Sequence, residues 1–101
     1  MAITLKAVTT ALGYQQITSV SSSTALTVPS KDVNGLNCKP SIAVIICETQ
    51  AVRWRDDGVA PTATVGMPLA TGTVLQYDGN LTQIRFIEQT AGAKINVAYY
   101  A

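Results

Sequence analysis

Histidine is absent from all 101 residues. That removes the side chain most used as a general base, the partner that activates Ser and Cys nucleophiles, and the commonest transition-metal ligand. Charge is scarce too: 13% of residues are Asp, Glu, Lys or Arg, about half the usual share. Seven basic and six acidic residues leave a net charge of +1. This gives neither a basic footprint for nucleic acid nor a polybasic segment for an anionic membrane. The longest strongly apolar run, residues 42–47, is far too short to span a bilayer. The opening MAITLKAVTTALG has no apolar core between a basic start and a cleavage site, which predicts a mature chain outside the general secretory pathway. Cysteine occurs twice, as Cys38 and Cys47. A reducing compartment disfavours pairing them, and Cys47 reads as a small buried hydrophobe.

What is present is short apolar strand pattern. Hydrophobic residues make up 48% of the chain, broken by Gly, Asp, Asn and Pro at the spacing of an all-β domain. No stretch carries a capped 3.6-residue period. The length suits one domain. The expected fold is a single compact β-sandwich or jelly-roll-like barrel with at most a short helical turn. Residues 1–13 are expected to form an N-terminal arm or edge strand, with Gly13 as the break, and residues 14–101 the sandwich. Strands are expected over 14–20, 25–28, 42–49, 51–55, 73–77, 83–89 and 94–100. Residues 42–49 are apolar on both faces and predict a central strand. Ile45, Phe86, Val97 and the lone Trp54 are the expected core. Ser30 is placed to cap a helical turn over 31–34, packing Val33 or Leu36 onto the sandwich. Asp78-Gly79-Asn80 reads as a hairpin turn.

Residues 51–69, AVRWRDDGVAPTATVGMPL, concentrate the chemistry. They hold the tryptophan, Arg53, Arg55 and two of the four prolines. Alternation places Val52 and Trp54 on one strand face and Arg53 and Arg55 on the other. The arginines are candidates for ion pairing with Glu48, Asp56 or Glu88, or for contact with another protein chain. Asp56-Asp57-Gly58 could suggest calcium, but the six or more oxygens that calcium takes are not in the pattern, and a turn explains it better. Glu48 and Glu88 would make a glycosidase pair only if a cleft brought them together. No glycine loop between strand and helix is present to cradle a phosphate.

The string from Ala51 through Arg53-Trp54-Arg55-Asp56-Asp57-Gly58, with Pro61-Thr62-Ala63 and Gly66, then YDG and the closing IRFIE and KINVAYY, resembles a family of small virion proteins of tailed bacteriophages. The ITSV and ALTVP segments resemble the family's opening strands, so the likeness covers about residues 14–100. The resemblance implies a jelly-roll or cupin-like sandwich and a homo-oligomer, dimer or trimer. It also implies a place on the virion, assembled in the bacterial host cytoplasm. The expected function is non-enzymatic: a capsid decoration or cement protein bound to the major capsid protein or its neighbours. The alternative is a tail, head-fibre or adaptor component with a carbohydrate-binding role. Asp56, Asp57, Gly58, Pro61, Thr62 and Gly66 are the family's signature turn and loop. No cofactor, metal, nucleic acid or membrane is expected. Cupin-like enzymes carry histidine clusters, and their chemistry does not transfer to a chain without histidine.

Overall fold

The structure is a computed structural model that describes residues 10–101. Eight strands follow one another: β1 (Ala11–Ile17), β2 (Thr24–Ala25), β3 (Ile42–Glu48), β4 (Val52–Arg55), β5 (Met67–Leu69), β6 (Val74–Tyr77), β7 (Arg85–Glu88) and β8 (Lys94–Tyr100). There is no helix among the described residues.

The pairing has a simple logic. β1 pairs with β8, β2 with β7, β3 with β6 and β4 with β5, all antiparallel. This is one long hairpin folded at the β4–β5 turn. It rolls up because β3 also pairs with β8, and β4 with β7. The result is two four-stranded sheets, ordered β1-β8-β3-β6 and β2-β7-β4-β5. That arrangement is a jelly roll. Successive strands reverse direction, so the connections 26–41, 56–66 and 78–84 gather at one end. The short connections 18–23, 49–51, 70–73 and 89–93 gather at the other.

Alternation along the strands builds the core. Ala43, Ile45 and Cys47 of β3 and Ile95, Val97 and Tyr99 of β8 point inward. They meet Val52, Leu69 and Phe86 from the facing sheet, and Val20, Leu26, Leu81, Ile84 and Ala93 from the connections. Ile45, Phe86 and Val97 are fully buried. β3 lies between two neighbours, and its outward Val44 is buried as well, the pattern its apolar run predicts. The outer face of that sheet carries a polar net instead. Tyr14 Oη and Gln16 Nε2 both donate to Asn96 Oδ1, while Gln16 Nε2 and Asn96 Nδ2 donate to Glu48 Oε1. At the β1 edge, Gln15 Oε1 accepts the Tyr99 hydroxyl at 2.8 Å and the Thr27 N–H at 3.0 Å, tying the β2–β3 connection to the sheet.

Several expectations change. Gly13 does not break the chain: β1 runs through it with a register shift between Ala11 and Gly13, and Leu12 joins the core. Residues 1–9 of the expected arm or edge strand lie outside the described residues. The helical turn over 31–34 is a bridged loop instead. Lys31 pairs with Asn37, and Asp32 Oδ1 accepts the N–H groups of Asn34 and Leu36. The short Asp side chain competes with helical bonding, as it does in Asx turns. Val33 and Leu36 therefore do not pack inward; they are 90% and 64% exposed. Asp78-Gly79-Asn80 does not close a hairpin either, because β6 and β7 belong to different sheets. Gly79 is needed there for space: a Cβ would collide with the Tyr77 hydroxyl.

A groove beside the tryptophan

β4 carries Trp54 in the row Phe86–Trp54–Met67. Phe86 lies deep in the core, whereas Trp54 sits nearer the β5 edge and is half-buried. Its indole packs against the core rather than within it. It meets the Tyr77 ring edge-on, with centroids 5.9 Å apart and planes at 66°. That is the geometry aromatic quadrupoles favour. Tyr77 belongs to the opposite sheet, and its hydroxyl donates to Asp56 Oδ2 at 2.6 Å. The two contacts together hold the sheets to each other along the β5–β6 side. Burial, and then the Asp56 carboxylate, push the Tyr77 phenol up to about 12.

Asp56 and Asp57 follow the strand and take different partners. Asp57 receives Arg55 through two guanidinium bonds, Nε to Oδ1 and Nη2 to Oδ2. Asp57 Oδ1 also accepts the N–H of Val59 across Gly58, whose φ of +83° suits the turn. The bond to Arg55 draws the Asp57 carboxyl below its usual value and raises the guanidinium above its own. Asp57 is exposed and Arg55 half-buried at the groove rim, so solvent screens the pair and it orients side chains more than it stabilises the fold.

Arg53 has a different task. Its Nε donates to the Ala63 carbonyl at 3.2 Å and its Nη1 to the Gly66 carbonyl at 2.8 Å. Thr62 Oγ1 accepts the N–H groups of Thr64 and Val65, and Thr62 N–H donates to the Val65 carbonyl. Pro61 is buried beneath. Gly66, at φ +145°, passes close to Arg53, Pro61 and the Trp54 carbonyl. The loop 56–66 is thus folded onto one arginine and one buried proline.

The outcome is a groove of about 390 Å³ lined by Trp54, Arg55, Asp56, Asp57, Val65, Gly66 and Met67. Val65 and Met67 are more than half exposed along it. Of the signature residues, Asp56, Asp57 and Gly66 line the groove, while Gly58, Pro61 and Thr62 shape its loop. The expected ion pairing is redistributed. Arg55 pairs with Asp57, which strand alternation had not singled out, and Arg53 bonds carbonyls instead of a carboxylate. Glu48 stays on the outer net of the first sheet, and Glu88 Oε1 accepts the Gly92 N–H. The two glutamates lie on different sheets and bond different partners, Gln16 and Asn96 for Glu48 and the Gly92 N–H for Glu88.

Both cysteines are free. Cys47 Sγ lies 3.3 Å from the Leu69 and Ala70 carbonyls, and burial raises its thiol. Among the described residues no group of three His, Cys, Asp or Glu could hold a metal ion. No helix among them is long and apolar enough to cross a membrane. Comparisons with protein-family models, with curated proteins and with solved structures find no match for this chain.

Proposed function

We propose that this chain is a non-enzymatic structural protein of a tailed-bacteriophage virion, a decoration or cement protein that binds the assembled head. It works as a homo-oligomer seated on the major capsid protein or its neighbours. The observation that carries the reading is the loop at residues 31–37. Two large aliphatic side chains, Val33 and Leu36, stand exposed at its tip, while Asp32 locks the backbone beneath them through two N–H bonds. Exposed apolar side chains on a pre-ordered loop suit docking, because little conformational freedom is lost on contact. The low charge of the chain favours the same use.

Such a protein stabilises a shell by binding only its assembled form. Purified protein is expected to co-sediment with mature, expanded capsids that lack it and to raise the temperature at which they rupture. Failure to sediment with those capsids removes the decoration role. Binding to isolated tails instead selects the tail or adaptor alternative. A clean monomer in light scattering at high micromolar concentration removes the oligomer.

A further inference from the structure

We propose that the groove beside Trp54 is a saccharide-binding site for a neutral pyranose. The C–H face of the sugar lies against the indole, and its hydroxyls meet Asp56, Asp57 and Arg55. The volume, about 390 Å³, falls at the lower end of small-ligand sites, which are mostly apolar with a few placed polar groups. Trp54, Val65 and Met67 supply the apolar walls, and the three charged residues supply one polar side.

The hydrogen-bonding inventory selects the ligand class. A sugar hydroxyl both donates and accepts, so it needs carboxylates and a guanidinium side by side. Arg55 has five N–H groups, two of which bond Asp57, so the other three remain for a ligand. Asp56 uses Oδ2 for Tyr77, and its Oδ1 has no partner among the described residues. The side chains are also pre-set: Arg55 is held by Asp57, and Asp56 by Tyr77, so less freedom is lost on binding.

Charge argues against other occupants. Two carboxylates face one guanidinium, which repels phosphates, acidic sugars and nucleic-acid backbones. Asp57 is already matched by Arg55, which leaves one exposed carboxylate, a weak lure for a cation. A neutral ligand with one apolar face and several hydroxyls satisfies both the indole and the paired charges.

Trp54 is the single tryptophan, so its indole N–H gives one resonance and its fluorescence reports the groove alone. The full chain is titrated with methyl β-galactopyranoside, methyl β-glucopyranoside and methyl α-mannopyranoside, with arginine amide as a cation probe. At least one glycoside is expected to move the indole resonance saturably, with a Kd of order millimolar. Asp56→Asn keeps an oxygen for Tyr77 but removes the charge, and is expected to weaken binding about tenfold. Met67→Glu, at an exposed wall position, is expected to abolish it. The inference is overturned if no glycoside gives a saturable shift. It is equally overturned if both variants bind like the parent, or if only arginine amide binds. The site does not depend on the virion role: capsid sedimentation and glycoside titration fail separately.

Discussion

Replacing Gly66 with alanine tests whether the loop 56–66 is built as described. Gly66 has φ +145°, a region that L residues rarely adopt. A Cβ there would stand 3.1 Å from Arg53 Cβ, 3.2 Å from Pro61 Cβ and 3.3 Å from the Trp54 carbonyl oxygen. None of these neighbours is the free end of a flexible chain. Arg53 Cβ and the Trp54 carbonyl are fixed by β4, which is paired on both sides, and Pro61 is a buried ring. Backbone strain alone costs about 1–3 kcal/mol, and overpacking a fixed site adds roughly 1–3. The expected loss is therefore about 4 kcal/mol, which lowers the Tm of a domain this size by roughly 16–32 °C. Gly72→Ala is the control. Gly72 also has positive φ, +78°, but an added Cβ meets nothing within 4 Å, so its cost is about 1 kcal/mol. Thermal melts of the two variants, followed by Trp54 fluorescence, separate strain from crowding. Gly66→Ala is also expected to shift Trp54 emission to the red as the loop lifts. If the two variants melt together, the crowding described at Arg53, Pro61 and Trp54 is refuted.

Four further outcomes follow from particular contacts. Arg53→Ala removes both carbonyl bonds of the loop and is expected to cost about 1–3 kcal/mol; a denaturant melt matching the parent would show that the loop holds without them. Phe86→Ala empties a fully buried site and should cost about 3–5 kcal/mol, whereas Trp54→Ala, at a half-buried position, should cost clearly less; the ordering of the two midpoints decides. Tyr77 and Tyr99 are both pushed up to about 12, chiefly by burial. Unfolded tyrosines ionise near 10, so above that pH the unfolded chain binds fewer protons and the stability these phenols contribute falls between about pH 10 and 12. Urea midpoints are expected to drop across that window, and less steeply in Tyr77→Phe. Val33→Ser with Leu36→Ser should leave the unfolding free energy within about 0.5 kcal/mol of the parent and weaken capsid co-sedimentation; unchanged sedimentation would refute docking through that loop.

The long strands were legible because each writes its burial into the sequence. β3 and β8 alternate or run apolar over seven residues each, enough for periodicity to speak. β2 and β5 have two and three residues, too few to show a period, and β5 contains Pro68, tolerated because β5 is an edge strand. The hairpin expected at residues 78–80 failed for a topological reason. Turn chemistry says that the chain bends, not whether the flanking strands pair, and here the bend carries the chain from one sheet to the other. The 31–34 helical turn failed locally, because the Asp32 carboxylate bonds two loop N–H groups and so fixes a non-helical loop.

The groove was hidden by the same alternation that revealed the strands. A period of two puts Trp54 on the inner face with Val52, and an inner tryptophan in a small domain reads as core. Depth along a row is a different variable. Phe86, Trp54 and Met67 share one row, yet exposure rises from none at Phe86 to 56% at Met67. The row runs from the sandwich centre to its edge at β5, and periodicity carries no signal of that gradient. One local clue was present: Met67 and Pro68 stand at a strand start where a core-facing edge would favour β-branched residues. Arg55 shows the second limit. Alternation assigned it to the face opposite Trp54, but a long side chain drawn to Asp57, two residues on, returns to the groove rim. Strand geometry fixes where a Cβ points. For a residue with a guanidinium at the end of several rotatable bonds, the nearest carboxylate fixes where the charge goes, and at this site the charge determines which ligand fits.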